Sequence, residues 1–194
     1  KGTYELGSVF KPFTFASALN KDLIKPETEF LNLPKSIRCE KHRIGEYDNE
    51  IPSDLSAEQI LIRSGNIGSV RIAQKIGPEK YKSFLEKIGV LSQISFDIEE
   101  VAPQKNYNFG KCKLATASYG HGIATTILQL AKGYSIISNG GFDIKPTLIN
   151  KKIQNNKKGI RILNKGVSEQ VVKTLRKIVN TEEGTAKFAN VPNY

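Results

Sequence analysis

A serine and a lysine near the start of the chain carry the most specific chemical signal in the sequence. Ser8 and Lys11 are three residues apart, a spacing that brings two side chains together on one face of a helix. A serine hydroxyl becomes a nucleophile when a nearby base removes its proton, and a neutral lysine amine can be that base. Burial and the positive end of a helix dipole both disfavour the ammonium form, so we expect a lowered pKa for Lys11. The pair predicts an activated serine nucleophile.

The same pair also has a structural explanation. An S-x-x-K pattern arises by chance about once in a protein of this size. A lysine can pack its aliphatic stem along a helix and carry its amine to solvent. On sequence grounds alone, packing is therefore the alternative to chemistry for Lys11.

A second polar segment, Ser64-Gly65-Asn66, lies between two predicted helices. The Ser64 hydroxyl could relay a proton to Lys11 or to a leaving group, and the Asn66 amide could bind a peptide carbonyl of a substrate. Serine, glycine and asparagine are also the usual residues of turns and helix caps. Taken alone, the segment is explained as a turn.

The remaining candidates for chemistry are weaker. His121 lies between two glycines with no acidic partner close in sequence; a catalytic base is conceivable, but we interpret it as a structural loop residue. The acidic pair Glu99 and Glu100 is interpreted as surface. No cluster of histidine, cysteine, aspartate and glutamate has metal-ligand spacing, so we predict no metal and no cofactor.

The elements around the first pair predict a buried scaffold. Residues 7–19 are apolar at nearly every position, which is typical of a central helix without a solvent face. Pro12 is tolerated only in the first turn of such a helix. The few strand candidates are the hairpin segments 36–39 and 42–44 and the segment 160–163. Helices normally pack against a sheet, so we infer that most of the sheet lies outside this chain.

Helix-start signals place the second polar segment on a loop. Ser53 or Ser56 is predicted to cap a helix that ends near Arg63, and Ser56 has Gln59 three residues later, as in a capping box. The next helix is predicted over 67–76, and Ser168 is predicted to cap the last helix of the chain.

Composition limits the classes of partner. The chain has 194 residues, enough for one domain with a sizeable core. Its 29 basic and 19 acidic residues give a net charge of +10, but the lysines are scattered and no arginine-rich stripe is present. We interpret the charge as a lysine-rich solvated surface and predict no nucleic-acid partner.

The cysteines, the apolar runs and the N-terminal residue give information on the cellular compartment and on processing of the chain. Cys39 and Cys112 fit no metal spacing and are interpreted as two separate, half-buried thiols, with a single disulfide as the alternative in an oxidising compartment. No apolar run reaches the roughly 18 residues of a membrane span. The chain contains no methionine, even at position 1, which indicates a processed or excised piece.

Several segments, in order and spacing, resemble the active-site motifs of penicillin-binding proteins. Residues 4–14, YELGSVFKPFT, resemble the pattern E-P-G-S-x-F-K-P, and residues 64–68, SGNIG, are similar to S-S-N-x-G. Residues 117–123, ASYGHGI, with residues 125–131, TTILQLA, are similar to S-Y-G-x-G-I followed by T-P-L-Q-L-A. The chain is identified as a member of class B, and within it is most similar to the division-specific septal type.

This resemblance implies the α+β fold of serine β-lactamases and transpeptidases and the activity of a peptidoglycan D,D-transpeptidase. Ser8 would attack the penultimate carbonyl of a stem peptide ending in D-Ala-D-Ala, and Lys11 would take its proton. Ser64 would shuttle a proton to the leaving D-Ala, and Asn66 would hold the peptide. β-Lactams would acylate the same serine.

The resemblance also implies partners and a location. The partners are peptidoglycan stem peptides, β-lactams and membrane proteins of the division complex, including a glycan polymerase. The location is the bacterial inner membrane, with the catalytic domain on the periplasmic side and the anchor outside this chain.

The sequence departs from the family pattern in minor ways and in one major way. Leu6 and Ile127 replace prolines, and Gly65 replaces the commoner serine. The third family motif, K-T-G, is missing, and residues 183–187, EGTAK, do not supply it. We therefore expect residues 1–194 to be a partial transpeptidase domain, mostly its helical part, truncated before the K-T-G strand and inactive or poorly active alone.

Three further functions would keep the Ser-Lys pair. A serine β-lactamase or D,D-carboxypeptidase would use the same residues for hydrolysis. A non-catalytic β-lactam sensor would keep them all, whereas a division scaffold would not need them. A nucleic-acid binder explains only the charge.

Overall fold

The computed structural model describes residues 2–95, 97, 107–149 and 159–191. Within these ranges the helices are α1 (Lys11–Asn20), α2 (Ala57–Ile62), α3 (Asn66–Ile76), α4 (Pro78–Lys87), α5 (Lys111–Ala117), α6 (Ile127–Ser138) and α7 (Lys165–Asn180). The strands are β1 (Glu29–Phe30), β2 (Ser36–Cys39), β3 (His42–Gly45) and β4 (Leu55–Ser56), and 3₁₀ turns cover Gly7–Phe10 and Lys187–Ala189. The predicted surface pair Glu99 and Glu100 lies outside the described residues.

The strands form two small antiparallel sheets. β1 pairs with β4, and β2 pairs with β3 in the predicted hairpin, which is confirmed. The prediction of a strand over 160–163 is wrong, because the structure gives only an isolated bridge between Phe142 and Arg161. A four-residue apolar segment cannot by itself show whether a partner strand is present.

The centre of the core is α1, whose buried residues run from Lys11 to Leu19. It packs against α2, α3, α4 and α7. The predicted absence of a solvent face is wrong for Val9, which is 46 % exposed. Val9 lies in the 3₁₀ turn before α1, where a tighter helical repeat changes the direction of successive side chains.

Helix starts follow the sequence signals in two cases and depart from them in a third. Ser56 and Gln59 form the predicted capping box of α2. The predicted cap at Ser168 is wrong, because Asn164 is the N-cap residue of α7. Ser168 lies inside α7 and donates its hydroxyl to the carbonyl of Ile137 in α6, so it joins two helices instead of starting one. Pro78 is the first residue of α4, a position that suits proline because its missing N–H has no partner within the helix there.

Cys39 and Cys112 form a disulfide across 73 residues of sequence, with their Cα atoms 5.6 Å apart. The prediction of two separate thiols is therefore wrong. The bridge ties β2 to α5, a seven-residue helix that the sequence did not predict because it is too short to show a helical period. The hairpin is thus fixed to the helical part of the fold.

The described helices are all too short or too polar to cross a membrane. Within the same residues, histidine, cysteine, aspartate and glutamate do not gather into a group able to hold a metal ion.

Candidate active site

The first two predicted site residues meet at the start of α1. Lys11 is the first residue of that helix, and only 2 % of its surface is exposed. Its Nζ donates a hydrogen bond of 3.0 Å to Oγ of Ser8. Ser8 lies on the preceding 3₁₀ turn and is exposed. A solvent-accessible hydroxyl is therefore in contact with a buried amine, which is the arrangement expected of a nucleophile and its base.

Ser64 completes this cluster from the connection between α2 and α3. Lys11 Nζ donates to Ser64 Oγ at 2.8 Å and also to the Ser64 carbonyl oxygen. Ser64 has φ +56°, a left-handed conformation that is strained for a residue with a side chain. Because Lys11 is buried and its amine bonds to Ser8 and Ser64, the structure does not support the alternative in which this side chain carries its amine to solvent.

Burial lowers the pKa of Lys11 to about 7, while the negative charge of Glu46 acts in the opposite direction. A pKa near 7 leaves a substantial neutral fraction of the amine at neutral pH. Only this neutral form can accept the Ser8 proton, and a general base is most effective when its pKa lies near the working pH. The lowered pKa expected from the sequence is therefore present, with desolvation as its main cause.

Asn66 is the first residue of α3 and is fixed by the hairpin. Its Nδ2 donates to the carbonyl of Gly45 at 2.9 Å. An amide nitrogen carries two N–H groups, so one bond to Gly45 leaves the second to bind a ligand. Asn66 follows Ser64, the residue that contacts Lys11, by two residues in the chain.

The loop at 119–121 borders the serine from another direction. The Gly7 N–H donates to the carbonyl of Gly120 at 3.1 Å. A Cβ atom at Gly120 would lie 2.2 Å from the Gly7 carbonyl oxygen, and Gly120 has φ +79°, so only glycine fits there. His121 packs its ring against Tyr119, with 4.9 Å between ring centroids, which agrees with its interpretation as a structural loop residue.

Glu46 is a site residue that the sequence did not predict. Its carboxylate accepts hydrogen bonds from the backbone N–H of Asn66 at 2.6 Å and from that of Ile67 at 2.8 Å. Glu46 comes 20 residues before Asn66 in the chain, so no local spacing pattern could reveal the contact. Its place at the end of the predicted hairpin was the only available indication.

The family model of the penicillin-binding protein transpeptidase domain matches residues 1–194 of the chain. The chain belongs to this family. The transpeptidase relatives include a peptidoglycan D,D-transpeptidase FtsI homolog of Mesostigma viride, which is 29 % identical over 92 % of this chain and 32 % of that protein. A probable peptidoglycan D,D-transpeptidase FtsI of Caulobacter vibrioides is 26 % identical over 97 % of this chain and 32 % of that protein. The chain therefore spans about a third of the length of these curated relatives.

The transpeptidase fold is confirmed by a solved structure. The TP domain of Burkholderia pseudomallei penicillin-binding protein 3 matches with a TM-score of 0.87 and 25 % sequence identity. The match covers 100 % of this chain and 59 % of that one. The predicted family and the predicted α+β class are both confirmed, whereas the roles of Ser8, Lys11, Ser64 and Asn66 stay predictions.

Proposed function

We propose that the protein is a serine-type peptidoglycan D,D-transpeptidase that forms an acyl-enzyme on Ser8. The observation that carries this proposal is the buried amine of Lys11, which bonds to the hydroxyls of both Ser8 and Ser64. Membership of the transpeptidase domain family supports it. The substrate would be a stem peptide ending in D-Ala-D-Ala.

The contacts suit acylation in the following order. Ser8 Oγ attacks the penultimate carbonyl carbon, and its proton passes to neutral Lys11. The tetrahedral intermediate collapses with cleavage of the peptide bond, and the leaving D-Ala nitrogen receives a proton through Ser64, whose Oγ lies 2.8 Å from Lys11 Nζ. The backbone N–H of Ser8 is one oxyanion donor, since N–H groups in a first helical turn have no partner within the helix.

Deacylation completes the cross-link. The amine of a neighbouring stem peptide attacks the acyl carbonyl and gives a proton to neutral Lys11. The bond between the acyl carbon and Ser8 Oγ then breaks, and Ser8 leaves as the alcohol after taking that proton from Lys11. Asn66 holds the donor peptide through its second amide N–H. A β-lactam would acylate Ser8 in the same way, but its ring-opened product retains the leaving group.

Location and partners follow the same proposal. The catalytic domain acts on the periplasmic side of the bacterial inner membrane, with division-complex membrane proteins, including a glycan polymerase, as partners. Residues 1–194 form part of a larger transpeptidase domain, which is supported by their coverage of 59 % of the solved TP domain chain. The isolated chain is expected to label poorly with β-lactams.

Labelling of the complete protein with a fluorescent penicillin tests this function. We expect a long-lived, Ser8-dependent adduct that Ser8→Ala abolishes. Ser17→Ala is the matched control, because the Ser17 hydroxyl is buried on α1 without a hydrogen-bond partner among the described residues. Rapid turnover of penicillin would instead show a β-lactamase, and labelling without cross-linking of stem peptides would show a sensor or a carboxypeptidase.

A further inference from the structure

We infer that Glu46 is a positioning residue for this reaction: its carboxylate holds the start of α3 and thereby fixes Ser64 and Asn66 beside Lys11. The inference rests on the proposed function. It concerns a residue that acts through its neighbours and does not touch the substrate.

The start of α3 needs an acceptor that its own sequence does not supply. The first N–H groups of a helix have no partner within the helix. The N-cap residue of α3 is Gly65, which has no side chain and makes no cap hydrogen bond. The two Glu46 carboxylate oxygens accept from the N–H groups of Asn66 and Ile67, at 2.6 and 2.8 Å. A charged acceptor at a helix N-terminus also interacts favourably with the helix dipole.

The same short segment holds the Asn66 side chain. Gly45, the last residue of β3, accepts a hydrogen bond from Asn66 Nδ2 at 2.9 Å. Adjacent residues of the hairpin end therefore fix both the backbone and the amide of Asn66. This orients the amide that is proposed to bind the stem peptide.

The contacts between Glu46 and the start of α3 also constrain Ser64. Ser64 lies between the end of α2, where its N–H donates to the Leu61 carbonyl at 3.1 Å, and Gly65 at the start of α3. Its left-handed backbone is strained, and such strain persists only where the surrounding structure fixes both sides. Glu46 fixes the α3 side, so it maintains the geometry in which Ser64 meets Lys11.

Glu46 also acts on Lys11 through its charge. The groups in contact with the amine are the hydroxyls of Ser8 and Ser64 and the Ser64 carbonyl, and Glu46 supplies the charge that raises the Lys11 pKa against burial.

Four other titratable groups lie near this part of the site. They are Tyr47, whose pKa Glu46 helps to raise, Asp48, Arg63, which pairs with Glu183 at 2.9 Å, and His121 beside Gly7. Substituting Glu46 also removes one of the charges that raise the Tyr47 pKa. Because a tyrosine titrates at alkaline pH, a shift of the acid limb reports the effect of the Glu46 charge on Lys11.

The test is Glu46→Gln in the complete protein, with acylation by a fluorescent penicillin measured against pH. The variant keeps the shape and one acceptor oxygen but loses the charge. We expect acylation to slow by about tenfold to a hundredfold, the cost of a small misplacement of reacting groups. We also expect the acid limb of the pH profile to move to lower pH, because Lys11 loses the charge that favours its ammonium form. Amide hydrogen exchange at Asn66 and Ile67 should accelerate.

Glu50→Gln is the matched control, since Glu50 is an exposed carboxylate on the same connection; its rate and pH profile should equal those of the natural protein. The inference is overturned by a Glu46→Gln protein with the natural rate and profile. It is equally overturned if the slower acylation is explained entirely by a smaller folded fraction of the protein and the acid limb keeps its natural position. Failure of the natural protein to label at Ser8 would instead overturn the proposed function, and amide exchange would still test the hold on α3.

Discussion

The two helices that meet at Ser64 are capped in different ways. The cap of α2 is local: Ser56 Oγ accepts from the Gln59 N–H at 3.2 Å, and Gln59 Oε1 accepts from the Ser56 N–H at 3.0 Å. The cap of α3 is remote, because Gly65 supplies no side chain and Glu46 reaches in from 20 residues earlier. A local cap forms with its helix, whereas a remote cap requires the hairpin to have docked.

Because of this difference, the two helices next to Ser64 depend on different kinds of contact. The start of α2 is fixed by its own sequence, while the start of α3, with the amide proposed to bind substrate, depends on tertiary contacts. The hairpin that supplies those contacts is itself tied to α5 by the disulfide between Cys39 and Cys112. Substitutions on the two sides should therefore have separable effects on stability and on chemistry.

The largest effect is expected at Lys11, which contacts Ser64 between the two helices. Lys11→Met should slow acylation by roughly a hundredfold to ten-thousandfold, the range for loss of a general base. Penicillin labelling measures the acylation rate, and we expect the loss even though the N-terminal caps of both helices stay intact. A rate within a few fold of the natural protein would contradict the assignment of Lys11 as the base.

The same variant should gain stability in a pH-dependent way. Burial lowers the Lys11 pKa from 10.5 to about 7, so between these values the unfolded chain binds more protons and stability of the natural protein rises with pH. Below about pH 7 the folded state carries the full cost of a buried ammonium. Lys11→Met removes that cost, a few kcal/mol, so denaturant unfolding should show a larger gain at about pH 6 than above the unfolded pKa. Equal gains at both pH values would contradict the lowered pKa.

The next largest effect is expected from opening the disulfide. Replacing Cys39 and Cys112 together by serine should lower the free energy of unfolding by about 2–5 kcal/mol, as is usual when a native disulfide is lost. Because the hairpin carries Glu46, amide exchange should accelerate at Asn66 more than at Gln59. Exchange that accelerates equally at the two helix starts would show that the disulfide does not act through the hairpin.

Sequence reasoning succeeded where the interacting residues are close in the chain. Ser8 with Lys11, and Ser56 with Gln59, are each separated by three residues, and a helical spacing predicts their contacts. Ser64 was a candidate from its own polar segment, but only the resemblance to a known family favoured chemistry over a turn there, because its contact with Lys11 spans 53 residues.

Sequence reasoning failed where tertiary structure brings together groups that are distant in the chain. The disulfide spans 73 residues, and the hydrogen bond from Ser168 to Ile137 spans 31. In each case the local pattern was compatible with a simpler explanation, a free thiol or a helix cap. Most helices could be predicted, since helical periodicity is a local property, and the fold class followed from the resemblance to a known family. The packing that completes the site could not be predicted.

A smaller effect is expected when the local cap of α2 is removed. Ser56→Ala should lower the free energy of unfolding by about 1 kcal/mol, the usual cost of losing an N-cap side chain. The pH profile of acylation should not move, because no charge near Lys11 changes. Thermal unfolding and penicillin labelling check the two statements, and a shifted acid limb would show that the α2 cap also acts on the base.

The smallest effect should come from giving α3 a local cap of its own. Gly65 has φ −65° and ψ 125°, which suits an N-cap serine, and a Cβ there would lie no closer than 3.8 Å to its neighbours. In the Glu46→Gln protein, Gly65→Ser should restore a few tenths of a kcal/mol of stability. The acid limb should keep its position at the lower pH, because a hydroxyl does not replace the charge. If the serine restored the pH profile as well, Glu46 would act on the site only by capping α3, and its charge on Lys11 would have no separate role.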